Sequence, residues 1–262
     1  MTLCFPVEKI SCVIQDPSRV SSWTCTHRIV ASSGQPNYLS VPLRVPSRLN
    51  MKRWRALLLD YPHNIIFDIL EFGWRLGYCG EAVPLFALRN HRGTLNFPAA
   101  VEAYLTSEDY LCRVAGPFDA LPVDDAFFSS LPTSVPKRDS SERRVIVDLS
   151  WPCGRSVNDG IPRNSFFGDP VDLTYPIIDD IVDAVVSLGR GCLLYKRDLR
   201  KAYRQFPVDP HDYHLLGYTW GGQYYFDTVL TMGLRSATMS CQRSTSTAAW
   251  ILAHRGRFVS IT

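Results

Sequence analysis

An α+β fold is predicted by three observations. Several stretches carry apolar residues at helical spacing. Two short β-branched and aromatic runs flank Gly221-Gly222 in the manner of a β-hairpin. The order of these patterns follows neither a regular βαβ rhythm nor an all-β spacing.

The 262 residues suffice for one large domain or two small ones. Hydrophobic residues make up 46% and charged residues 20%, which supports a packed core and argues against wholesale disorder. No apolar run reaches the roughly 18 residues that a membrane span needs. The first fifteen residues carry Glu8 and Lys9 and lack a basic leader, so no signal peptide is read and an intracellular protein without membrane association is expected. The eight cysteines are scattered, with no C-x-x-C pair, and are expected to be reduced thiols rather than disulfides or zinc ligands.

Residues 1–60 are rich in Ser, Pro and Arg without a sustained period, and are expected to be irregular. The main domain is placed at residues 61–262. Ile65, Ile66, Ile69, Leu70 and Trp74 fit one face of a helix over residues 65–76. Pro98 suits a first helical turn, and Val101, Tyr104, Leu105, Leu111 and Val114 suggest a helix over residues 99–115, broken by Gly116-Pro117. A loop with prolines at 122, 132 and 136 follows. Residues 144–149 read as a strand, and residues 151–162 as turns. Residues 176–188 have helical spacing and end at Gly189. Residues 192–195 read as a short strand ending at Asp198, with a continuation over 204–208. Residues 213–220 and 223–229 form the predicted hairpin, and a helix is expected from about Thr238 to His254.

Net charge is only +3, but cations cluster. Residues 196–204 hold five cations against one acid, and residues 137–144 hold four against two. Such clusters either neutralise phosphates or form a solvated face. Asp198 sits within the first cluster. By itself it reads as a strand-end acid paired with Arg197, Arg200 or Lys201, or as a hard oxygen ligand for Mg²⁺ facing nucleotide phosphates.

The surrounding string adds a resemblance. Asp198-Leu199-Arg200-Lys201-Ala202-Tyr203-Arg204-Gln205 resembles motif A of reverse transcriptases, an Asp followed by Ala-Tyr. Residues 135–140 and 144–150 resemble the fingers hairpin of that family, and residues 154–162 follow it in the family's order. Leu230-Thr231-Met232-Gly233-Leu234-Arg235-Ser236-Ala237-Thr238 resembles motif B, with Gln242 on the helix that follows. The similarity covers roughly residues 65–262 and is closest to the DIRS-like retrotransposon group.

The resemblance implies fingers plus an incomplete palm with an antiparallel sheet. It implies template-directed deoxynucleotidyl transfer with Mg²⁺, on an RNA or DNA template with primer and deoxynucleoside triphosphates. Asp198 and the Leu199 carbonyl take the metal-binding positions, with Asp198 the catalytic acid. Lys137 and Arg144 take the positions of cations that hold the triphosphate. Tyr203 takes the place of the ring that excludes a 2′-hydroxyl. Gly233 and Gln242 lie where the family contacts the template base and incoming nucleotide. Alone, Lys137 and Arg144 read as a solvated hairpin, Tyr203 as a core tyrosine, Gly233 as a strand end and Gln242 as a helix-face residue.

Three departures stand out. Thr231 replaces a usual Pro, Met232 a common Phe, and Thr238 a frequent Pro. The Tyr-x-Asp-Asp of motif C is absent, and no Asp-Asp lies downstream of Asp198. Asp179-Asp180 lies upstream and reads as surface acids. The expectation is therefore a partial domain that is inactive by itself. The alternative is a non-catalytic transposon-derived fragment that binds nucleic acid weakly through its basic clusters. An unrelated α+β domain is the third reading.

Overall fold

The computed structural model describes residues 50–62, 65–80, 90–122, 127–194, 196 and 198–255. Most of the expected irregular N-terminal segment therefore lies outside the described residues. The part that is described is helical. Asn50 caps α1 (Met51–Leu57), its side-chain oxygen accepting from the Arg53 amide at 3.0 Å.

Helix α2 (Ile65–Phe72) is shorter than the expected 65–76. Gly73 ends it at φ +97, a conformation that disfavours any side chain. Trp74 then leaves the helix and bridges Val208, so its burial comes from a strand-like contact rather than from the helix face. After α3 (Arg92–Leu95), Pro98 opens α4 (Pro98–Tyr110). This helix stops five residues before the expected end. Cys112 takes φ +53, and Val114 starts strand β1 (Val114–Phe118) instead of extending the helical stripe.

The largest correction concerns the proline-containing loop. Residues 129–136 form a strand, β2 (Ser129–Pro136), paired antiparallel with β3 (Arg143–Asp148). Prolines are tolerated because β2 has a second strand partner only at Ser129 and Ser130, which pair in parallel with Gly217 and Tyr218. Beyond them that edge needs no ladder donors from Pro132 or Pro136. The fingers-like hairpin expected from residues 135–150 is thus present, with Val135 opposite Arg144.

A two-stranded ribbon, β4 (Ser165–Phe166) and β5 (Asp169–Pro170), precedes α5 (Ile178–Leu188), which ends at Gly189 as expected. The expected strand at 192–195 is not formed by described residues 192–194, which are irregular. A strand needs a neighbour to satisfy its backbone, and no described strand lies beside this one. Residues 202–205 form a 3₁₀ turn (Ala202–Gln205), and a second 3₁₀ segment (Pro210–Leu216) takes the place of the first half of the expected 213–220 strand. The hairpin keeps its turn. Strands β6 (Gly217–Trp220) and β7 (Gln223–Asp227) flank Gly221 and Gly222, both at positive φ. The chain then enters α6 (Ala237–Arg255).

The main sheet runs β1-β7-β6-β2-β3 and is antiparallel except at β2–β6. An α+β fold with a mostly antiparallel sheet is therefore the observed class. One core joins the sheet to the helices through Trp74, Phe128, Tyr213, Tyr218 and Phe226, each buried. Burying one such side chain is worth about 1.5–3 kcal/mol, which makes these aromatics the main anchors. Among the described residues, no helix is long and apolar enough to cross a membrane.

Candidate functional site: the motif A turn and the motif B loop

The segment resembling motif A is organised around one buried acid. Helix α4 buries Val101, Leu105 and Glu108, residues that share a face at i, i+4 and i+7. Glu108 is 0% exposed. Its Oε1 accepts from Lys201 Nζ at 2.5 Å, and its Oε2 from Arg204 Nε at 2.7 Å. Arg113 Nη1 stands 3.9 Å from Oε2. The Arg204 guanidinium also donates through Nη2 to Asp227 Oδ1 at 2.8 Å. Two buried carboxylates are thus matched by three cations, the arrangement a dry site requires.

The two acids respond differently. Burial alone raises the Glu108 carboxyl, but Arg204 and Lys201 together pull harder and leave it below the ordinary carboxylate value. At Asp227 burial dominates, Arg204 offsets only part of it, and the carboxyl lies above its ordinary value. Burial lowers the Arg204 guanidinium, but Asp227 and Glu108 outweigh it and hold the group charged.

This network revises one expectation. Five cations near Asp198 suggested a phosphate-binding cluster, but Lys201 and Arg204 are tied to Glu108. Lys196 and Arg200 stand exposed, and Arg197 lies outside the described residues. Asp198 is exposed and makes no ion pair among the described residues, and Leu199 is 47% exposed.

Tyr203, between Lys201 and Arg204 in sequence, reaches a different element. Its hydroxyl lies 3.4 Å from Thr238 Oγ1 on α6, which packs against the 202–205 turn. The motif A and motif B segments therefore meet through Tyr203 and Thr238. Gln242, one turn further along α6, donates to the Thr174 carbonyl at 2.5 Å.

The loop resembling motif B is joined to the end of the β2–β3 hairpin by Asn158, which sequence reasoning passed over as part of a turn. Asn158 belongs to a 3₁₀ turn (Val157–Gly160) capped reciprocally by Ser156 and Asp159. Its Nδ2 donates to the Gly233 carbonyl at 2.8 Å and to Ser150 Oγ at 2.9 Å. Its Oδ1 accepts from the Arg235 amide at 2.8 Å. Arg235 Nη1 donates in return to the Asn158 and Ile161 carbonyls. The S-x-x-D capping signature over 156–159 was legible, but the long-range partners were not.

Gly233 sits at φ +93 in the exposed loop, with the Val147 carbonyl as its nearest neighbour across from where a Cβ would stand. Arg144 is exposed and places Nη1 3.9 Å from Met232 Sδ, so the hairpin and the motif B loop touch there. Lys137 is engaged by Glu142 across the hairpin turn. Of the expected site residues, Arg144, Tyr203 and Gly233 are joined by this chain of contacts. Among the described residues, no side-chain contact connects Lys137 to it. A cleft of about 340 Å³, lined by Tyr78, Phe128, Arg155 and Ser156 among others, includes none of the expected site residues.

Mg²⁺ needs several hard oxygens in octahedral array. Asp198 offers a carboxylate and Leu199 a carbonyl. Among the described residues, however, no group of three His, Cys, Asp or Glu residues could hold a metal. The downstream acids are committed elsewhere. Asp209 pairs with His211, Asp212 with Arg75 and the Leu76 amide, and Asp227 with Arg204. These described residues do not make a two-metal centre.

No family model matches the chain, and no curated protein matches it. Solved structures do. Both that follow are reverse transcriptases. One is a crystal structure of the prototype foamy virus protease–reverse transcriptase CSH mutant, 15% identical, with a TM-score of 0.44; the match covers 74% of this chain and 24% of that one. The other is the foamy viral protease–reverse transcriptase dRH in complex with double-stranded DNA, 14% identical, also at a TM-score of 0.44, covering 80% and 37% of the two chains. The chain thus spans well under half the length of these neighbours.

Proposed function

We propose that this chain is part of a retrotransposon reverse transcriptase of the DIRS-like kind, comprising the fingers and the beginning of the palm. It engages a primer on an RNA or DNA template and presents a deoxynucleoside triphosphate to it. Arg144 contacts the triphosphate with a planar fork, and Tyr203 stands under the sugar. Gly233 allows close backbone approach to the base pair. Asp198 takes the position of the metal-binding acid.

The observation that carries this reading is a convergence. Three segments with the family's motif pattern lie far apart in sequence, yet they contact one another in the order Arg144–Met232, Gly233–Asn158 and Thr238–Tyr203. Chance motif matches give no reason for that meeting.

The test is primer extension on an RNA template with Mg²⁺, using the full chain beside Asp198→Ala, with duplex binding measured in parallel. Binding by both proteins, with extension lost in Asp198→Ala, supports a polymerase. It would also require carboxylates beyond those described here to complete the site. No binding by either protein sinks the reading.

A second reading has its own observation. The acids downstream of Asp198 are all held in other pairs, while Lys196 and Arg200 stand exposed. This favours a chain that binds nucleic acid without catalysis. Binding without extension would select it.

A further inference from the structure

Glu108 lies 93 and 96 residues before its partners Lys201 and Arg204, on a different element. No sequence motif claims it. A fully buried carboxylate that ties two cations of one short turn calls for an explanation beyond packing, since a hydrophobic residue there would avoid the desolvation cost.

The geometry supplies one. Lys201 is the left-handed N-cap of the 202–205 turn, at φ +51, and Arg204 lies within it. Both cations reach one side, where a single carboxylate with two oxygens receives them. Tyr203 projects at a different angle, toward Thr238. Holding positions 201 and 204 fixes the rotation of the turn about its own axis.

We propose that Glu108 is a positioning residue for Tyr203, aiming its ring by clamping Lys201 and Arg204. This rests on the reading of Tyr203 as the ring that senses the nucleotide sugar. Asp227 holds the far side of Arg204, and Arg113 faces the same Glu108 oxygen, so both support the clamp. Glu108 takes both cations, and Gln205 also spans the turn, its Nε2 donating to the Arg200 carbonyl at 2.8 Å.

The test uses the full chain labelled with 3-fluorotyrosine and read by fluorine NMR. Loss of one resonance in Tyr203→Phe identifies Tyr203. Glu108→Gln is expected to shift or broaden that resonance while the exposed Tyr175 stays unchanged. Lys201→Met is a second variant whose partly exposed side chain can be lost without opening the core. It is expected to give the same change in smaller measure. An unmoved Tyr203 resonance in folded Lys201→Met and Glu108→Gln would overturn the proposal.

The binding arm compares dUTP with UTP on a primer–template. Glu108→Gln is expected to lower the deoxy preference by about threefold, with no further loss in a Tyr203→Ala background, as for residues acting as one unit. An equal loss for both nucleotides, with the preference intact, also overturns it. If the wild-type chain shows no preference while the Tyr203 resonance moves, the sugar-sensing reading fails and the positioning stands.

Discussion

Asn158 and Arg235 hold each other in both directions. The Asn158 side-chain oxygen accepts from the Arg235 amide at 2.8 Å, and the Arg235 guanidinium donates back to the Asn158 carbonyl. The pair joins the turn after the fingers hairpin to the loop resembling motif B. Asn158 also donates to the Gly233 carbonyl, so one nearly buried amide serves three partners.

Replacing Asn158 with Ala is expected to destabilise the chain by about 2 kcal/mol or more, because buried donors and acceptors left unpaired cost about 1–3 kcal/mol each. Asn158→Asp keeps the acceptor for the Arg235 amide but sets a buried carboxylate oxygen against the Gly233 carbonyl, so it should cost no less. Urea midpoints at constant slope check this. An Asn158→Ala midpoint equal to the parent's would show that these bonds contribute nothing.

The acid network carries a pH signature. The Glu108 value is lowered on folding, so its stabilising contribution is full above the ordinary 4.5 and is lost as pH falls through the folded value. Asp227 has the opposite sign. Its value is raised, so ionised Asp227 costs stability at neutral pH, and that cost fades as pH falls through the folded value. At pH 7 Glu108→Gln should therefore lose about 3 kcal/mol, as for a broken buried pair, and Asp227→Asn should lose less, because Arg204 keeps Glu108 as its partner. The Glu108→Gln deficit should shrink on acidification. A deficit that stays constant from pH 7 to pH 4 would contradict the assignment.

Gly73 separates α2 from the strand-like Trp74. A Cβ there would lie 2.4 Å from the Asp209 amide nitrogen, and the backbone is at φ +97. Both neighbours and conformation resist a side chain, so Gly73→Ala is expected to cost about 2 kcal/mol, within the range for overpacking and backbone strain. Thermal melting of the purified variant reads this directly. A midpoint equal to the parent's would mean that the Trp74–Val208 bridge yields freely.

Nucleic-acid binding should report which cations face the ligand. A lost phosphate contact lowers the slope of log K against log salt by about 0.9 on duplex DNA. Arg144→Ala is expected to lower the slope by about that amount, and Arg113→Ala, whose side chain faces Glu108, to leave it alone. Glu142→Gln should raise affinity, since it releases Lys137 from its pair across the hairpin turn. Unchanged affinity in that variant would remove Lys137 from the binding surface.

Local signals were readable wherever neighbours along the chain decide the outcome. Gly221-Gly222 dictates a tight hairpin because both residues need positive φ. Pro98 opens α4 because its missing amide would be unpaired there in any case. Residues 178–188 form a helix that Gly189 ends, as their spacing indicated.

The misreadings occurred where a distant partner decides. Pro132 and Pro136 argued for a loop, but β3 lies along one edge of β2 and relieves the other of its ladder duties. Residues 192–194 have strand-like side chains but no described neighbour to pair with, so apolar character alone did not make a strand. Ile178, Val182 and Val186 have the periodicity of a core face and yet are exposed, because burial depends on what packs opposite. The sequence alone therefore determined the turns, the caps and the order of the motifs, through backbone preferences that act over a few residues. Only the tertiary structure decided that Glu108 clamps Lys201 and Arg204 and that Asn158 grips Arg235. A carboxylate or amide chooses its partner by proximity in space, and these partners lie 77 to 96 residues away along the chain.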